Sequence, residues 1–200
     1  VQVLGTKVRV DLAAYPPEQA APIAQSLTTL LGLQVSPIAN FLSLTLAGTG
    51  QIIHPGIMYG LFHDWDGAPL SEAPLFYQGV DAFTAGVLQA MSDEIQSVCQ
   101  VLQSRFPHLD LSAVRPLSEW LELSYGSDIR DSSSLQAAFN SNRSYLGLKA
   151  PVRQSEIGLA PDFQARYLSE DVPYALAAAR GIAELAGVPT PQIDAVMTWA

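Results

Sequence analysis

"VDAFTAGVLQAMSDEIQSVCQVLQSRF", residues 80–106, decides the fold class. Its apolar residues recur at helical spacing over a length that strands do not reach, and it predicts the longest helix of the chain. Cys99 falls inside this pattern and is expected to be a buried small apolar residue. It is the single cysteine, so the chain has no intrachain disulfide and no cysteine-based zinc site.

Outward from this helix the helical pattern dominates. Residues 17–32, "PEQAAPIAQSLTTLLG", predict a helix with Gly32 as its stop. Residues 36–47 predict another, with Ser36 as cap and Pro37 at the first helical position. A helix is expected to resume after His54-Pro55. Further helices are expected over 112–125, with Trp120, Leu121 and Tyr125 on the apolar side, over 132–141 with serine caps, and over 190–199. Residues 169–187 predict an Ala-rich helix capped by Ser169, with Glu170, Asp171 and Pro173 in its first turn. Residues 64–79 are turn-rich, with a short strand at Leu75 to Tyr77, and 148–166 read as an irregular loop. At the front, Val3, Val8, Val10 and Leu12 read as strand, with "GTK" as a turn between two short segments. A lone two-stranded piece is marginal in water, so these strands are expected to have belonged to a sheet upstream. The expected class is all-α, a multi-helix domain with a short β fragment at its N-terminus.

Composition narrows the function. Hydrophobic residues make up 48% of 200 and charged residues 14%, enough for a sizeable core. The formal charge of −9 argues against nucleic acid and anionic membrane surfaces, which need a basic face. It leaves room for a small anionic substrate, because one or two arginines set the field inside a cleft. No stretch resembles a signal peptide and no apolar run is long enough to span a bilayer, so a cytoplasmic location is the expectation.

Few motifs carry chemistry. "GTGQ" at 48–51 follows no strand and fails the dinucleotide fingerprint. His54, His63, Asp64 and Asp66 lack the spacing of a metal site, and no metal is expected. No nucleophile elbow is present. Two stretches remain: "IIHPGIMYG" (52–60), with one of three histidines, and "RYLSEDVPYAL" (166–176), where a long loop meets a helix. His54 reads either as a histidine satisfied by a backbone carbonyl or as a functional imidazole. Asp171 and Glu170 read as helix-start acids, of which capping needs only one.

Taken in order, "VLGTK" (3–7), "IIHPGIMYG", "SEWLELSYG" (118–126), "NRSYLGLKAPV" (142–152), "RYLSEDVPYAL" and "GVPTPQID" (187–194) resemble the octopine/nopaline (opine) dehydrogenases. The resemblance covers nearly the whole chain, as the C-terminal all-α domain of that family, of the 6-phosphogluconate dehydrogenase C-terminal type. Two departures stand out: "AGTGQ" (47–51) lacks the asparagine expected before the His-Pro pair, and Ala175 replaces a glycine. The resemblance implies NAD or NADP as cofactor, bound mainly by an N-terminal Rossmann domain. It implies that residues 1–14 are the last strands of that domain and that 15–200 form the helical domain. It implies reductive condensation of an amino acid with a 2-oxo acid, and a possible homodimer. Within the site it implies His54 as proton donor and acceptor, Asp171 as the group that orients it, and Arg166 as the ligand of a substrate carboxylate.

The residue types suit those tasks. Imidazole delivers a proton near neutral pH. A carboxylate on its far nitrogen fixes the tautomer, and arginine forks onto a carboxylate. Such a dyad predicts His54 and Asp171 within hydrogen-bond reach, the second ring nitrogen facing an open cleft, and an imidazole pKa above about 6.5. Tyr59, Tyr77, Asn142 and Trp65 could line a pocket, but packing accounts for each. Two other readings stay open. One is a glycerol-phosphate or ketopantoate type reductase, disfavoured because Lys7 and Lys149 are the only lysines. The other is a non-catalytic helical dimerisation domain, with "PYALAAARGIAELAGV" (173–188) as its interface.

Overall fold

The structure, a computed structural model, describes residues 7–156 and 158–200. The expected strand at Val3 and most of the "GTK" turn lie outside them. Strand β1 (Arg9–Leu12) is followed by α1 (Ala20–Leu31) and β2 (Gln34–Pro37), and the two strands pair in parallel, Arg9 opposite Gln34 and Leu12 opposite Pro37. The described front is therefore a strand–helix–strand unit. Gly32 ends α1 in the left-handed region at φ 66°, as its stop position predicts. Ser36 lies inside β2 and caps nothing. Asn40 caps α2 (Phe41–Leu46) instead, its side chain accepting from the Ser43 amide.

Helix α3 (Gly50–Phe62) starts before the His-Pro pair, not after it, so His54 stands within a helix. The Thr49 carbonyl accepts from the amides of Ile52 and Ile53, which winds the first turn before Pro55 is reached. Pro55 then costs only the bond to the Gln51 carbonyl near the helix start. The long helix is α4 (Ala82–Arg105), capped by Asp81. It packs along α3 at very close range. A Cβ added at Gly56 would come within 2.6 Å of Leu88 Cδ2, and one at Gly60 would strike the Thr84 side chain. Ile57, Met58, Leu88, Met91 and Ile95 meet at this seam with almost no exposure, and Cys99 is buried beside them. Each fully buried aliphatic side chain contributes roughly 1.5–3 kcal/mol relative to exposure.

Helices α5 (Leu117–Tyr125) and α6 (Leu135–Ser141, capped by Ser134) close one side of the core. The 148–166 stretch is not an irregular loop. It holds an antiparallel hairpin, β3 (Val152–Ser155) and β4 (Gly158–Pro161), whose prolines sit at the strand end and just outside the pairing. Leu75 makes a single antiparallel bridge to Lys149, and the expected strand there gives way to a 3₁₀ turn at Tyr77–Gly79.

The expected helix over 169–187 begins earlier and is built in pieces. Helix α7 (Arg166–Ser169) leads into a π-helical turn (Val172–Leu176) and then α8 (Ala177–Ala186), ended by Gly187 at φ 67°. Ser169 is not its cap: its hydroxyl donates back to the carbonyls of Gln164 and Ala165. Pro173 cannot supply a backbone donor, and the chain widens around it. Helix α9 (Pro191–Trp199) packs across α3 and α4. Ala179, Ala183 and Ala186 of α8 and Ile193 and Val196 of α9 complete the core.

Candidate active site

His54 projects from the second turn of α3 towards the wide turn after α7. Its Nδ1 lies 2.7 Å from Asp171 Oδ2, although 117 positions separate them in sequence. Asp171 is the residue just before the π-helical turn, so the widened backbone places its carboxylate. The other ring nitrogen, Nε2, lies 3.0 Å from the hydroxyl of Tyr77, on the 3₁₀ turn. Tyr167 of α7 stacks on the imidazole face at 4.3 Å and 18°. Phe76, fully buried, stacks on Tyr167 in turn, and Tyr77 stacks on Tyr145 at 4.1 Å. The imidazole is thus held at both nitrogens and on one face, while about a quarter of the His54 and Asp171 side chains stays exposed.

Two expectations about His54 are corrected. Its second nitrogen is covered by a phenol rather than facing an open cleft. Its pKa is lowered, not raised. Burial of the ring disfavours the imidazolium most strongly. The hydrogen bond and charge of Asp171 oppose this without overcoming it, and the charges of Lys7 and Arg166 push the same way as burial. Tyr77 is pushed well above the ordinary phenol range, chiefly by burial, so it stays protonated. A protonated phenol donates to Nε2, which leaves the ring proton on Nδ1, donated to Asp171.

Arg166 stands on α7, five positions before Asp171. Its Nε donates to Glu170 Oε2 at 3.0 Å, and its side chain is 83% exposed. It reaches His54 through its charge, not by contact. The acids at 170 and 171 therefore divide: one meets Arg166 and the other His54. Among the remaining pocket candidates, Asn142 is fully buried and accepts from the Ser144 amide, Trp65 donates to the Ala68 carbonyl, and Tyr59 packs edge-on to Trp199. Tyr77 alone of the four touches the dyad. Its position in a turn-rich segment gave no periodicity to single it out. Tyr167 adjoins Arg166 where the long loop meets the helix, a junction the sequence marks for functional side chains without giving Tyr167 a role.

A cleft of about 290 Å³ opens beside the dyad, lined among others by Lys7, Arg9, Thr49, Gly50, Arg115 and Trp120. Gly50 is the wall between them: a Cβ there would lie 3.7 Å from the His54 ring and 3.9 Å from Asp171 Oδ1. Among the described residues no cluster of three or more histidine, cysteine or acidic side chains could hold a metal ion, and no helix is long and apolar enough to cross a membrane.

Residues 37–200 match the family described as NAD/NADP octopine/nopaline dehydrogenase, alpha-helical domain. Along its whole length the chain is 42% identical to an octopine dehydrogenase of Mizuhopecten yessoensis and 37% identical to a tauropine dehydrogenase of Arabella iricolor, covering 50% and 52% of those proteins. A solved structure of octopine dehydrogenase in complex with NADH and agmatine superposes on 98% of the chain with a TM-score of 0.86 at 34% identity, over 49% of its own length. The chain spans about half the length of the relatives it matches.

Proposed function

The chain belongs to the octopine/nopaline dehydrogenase family as its alpha-helical domain, and from that premise we propose that it is the substrate half of an opine dehydrogenase. The reaction is an NAD(P)H-dependent condensation of an amino acid with a 2-oxo acid, in which imine formation is followed by reduction to a secondary amine. The observation that carries this reading is the 2.7 Å contact of His54 with Asp171. A histidine that served only packing could take any carbonyl, and a helix-start acid could face water. Their meeting needs the tertiary fold, and it yields the arrangement that proton transfer to an imine or carbonyl requires.

In this reading His54 takes up a second proton at Nε2 and passes it to the substrate there, and Asp171 fixes the tautomer through Nδ1. Tyr77 keeps Nε2 hydrogen-bonded until a substrate atom takes its place. Tyr167 sets the ring plane and keeps water from one face. Arg166 turns from Glu170 to a carboxylate of the 2-oxo acid, which it can fork bidentately. Among the described residues the one strand-to-helix connection at the front, "AAYPPEQ" (13–19), holds no glycine for a pyrophosphate to approach. We assign nucleotide binding to a preceding half. Residues 1–14 are its end in this reading, and the β1–β2 pairing extends the attribution towards residue 37, where the family match begins.

The test is a screen of the complete enzyme, following NADH and NADPH oxidation with pairs of amino acids and 2-oxo acids. At least one pair should turn over. His54→Asn should lower turnover by about 10²-fold or more while the circular dichroism spectrum still reports a folded helical domain. Undiminished turnover in the variant would remove His54 from the chemistry.

A further inference from the structure

In a chain of net charge −9, the cleft beside the dyad is cationic. Lys7, Arg9 and Arg115 line it, against a single carboxylate, Asp11. Asp11 accepts from both Nε and Nη2 of Arg9, at 3.1 and 2.9 Å, and offsets that charge. Among the described residues no carboxylate pairs with Lys7 or Arg115. The cleft therefore presents two cations beyond internal balance, within a concave wall where fields concentrate.

Its distance from the chemistry is short. Gly50 lines the cleft on one side and abuts His54 and Asp171 on the other. The charge of Lys7 already acts on the imidazole. A molecule seated between Lys7 and Arg115 would reach the dyad across a residue with no side chain. The Lys7 ammonium sits over the Trp120 ring, 4.8 Å from its centroid. The aromatic face that could receive a substrate cation is occupied by one of the chain's own.

We propose that this cleft binds the acidic end of the amino donor, a side-chain carboxylate or a sulfonate, and that the enzyme selects anionic amino donors over guanidino or alkyl ones. This rests on the opine dehydrogenase reading above. One cation meets the α-carboxylate where the donor has one, and the other remains for a further acidic group. A guanidinium brought to the same place would face like charge from Lys7 and Arg115 with only an already paired carboxylate to offset it, which is selection by repulsion as well as attraction.

The complete enzyme, supplied with NADH and pyruvate, tests this. kcat/KM for the best of aspartate, glutamate and taurine should exceed that for arginine and for alanine by about tenfold or more. Arg115→Gln and Lys7→Gln should each raise KM for that acidic donor about tenfold, leave KM for pyruvate and NADH within about twofold, and relax the discrimination against arginine. Arg115→Lys should restore most of the loss. Preference for arginine or alanine in the unmodified enzyme would overturn the assignment while leaving the opine reading intact. An Arg115→Gln defect confined to NADH would overturn it too, by placing a nucleotide phosphate in the cleft. Absence of turnover with every donor would overturn the opine reading and the assignment with it.

Discussion

A neutral imidazole bonded at both nitrogens is confined to one tautomer, and its neighbours decide how readily it takes a second proton. At His54 burial outweighs Asp171, so the folded-state pKa lies below the ordinary 6.5. Between the two values the unfolded chain binds more protons than the folded one, so stability rises with pH across that window. The contribution is full above 6.5 and is lost as pH falls through the depressed value. An imidazole titration followed by NMR should show a midpoint below 6.5, lower still in Asp171→Asn, because Asp171 is the group that raises it. A midpoint above 6.5 would reverse the balance described. Arg166→Lys keeps the charge and loses the fork. It should cost roughly 1–3 kcal/mol in kcat/KM for the 2-oxo acid, the scale of a charged hydrogen bond, with nucleotide affinity unchanged. An unaltered kcat/KM would take Arg166 out of the site. The dyad was legible in the sequence because the family motifs bracket both residues. The sign of the pKa shift was not, because it depends on how much of the ring water can reach.

At the scale of elements, the seam between α3 and α4 governs the site, since it holds the helix that carries His54. Gly60→Ala would drive a methyl group into Thr84, whose Cβ stands 2.8 Å from the added carbon. Overpacking of this kind costs typically 1–3 kcal/mol. Urea denaturation should show that loss in midpoint with an unchanged slope. Wild-type stability in this variant would mean the seam yields more easily than its geometry implies. The long helices could be read from periodicity: α4 and α1 stand within a few residues of their expected bounds. The strands could not. "QVSP" is too short to show alternation, and the prolines at 151 and 161 masked the β3–β4 hairpin. The π-helical turn was equally hidden, since Ser169 followed by two acids and a proline is also how an ordinary helix start reads.

For the whole molecule, the placement of function is uneven. The His54–Asp171 pair and the cationic cleft lie within this chain, while among the described residues no glycine-rich turn joins a strand to a helix. Calorimetry on these 200 residues should detect no NADH or NADPH binding at micromolar concentration. Micromolar affinity would show that nucleotide recognition is shared by this half. The hydrogen bond between His54 and Asp171 has a consequence for when this pair can form during folding. It closes a loop of 117 positions, and holding the ends of such a loop together costs about 4 kcal/mol of chain entropy. A charge-assisted hydrogen bond returns only about 1.5–3 kcal/mol. The pair cannot gather itself. It is held together by the packed elements that carry it, so the contact forms only with the tertiary fold.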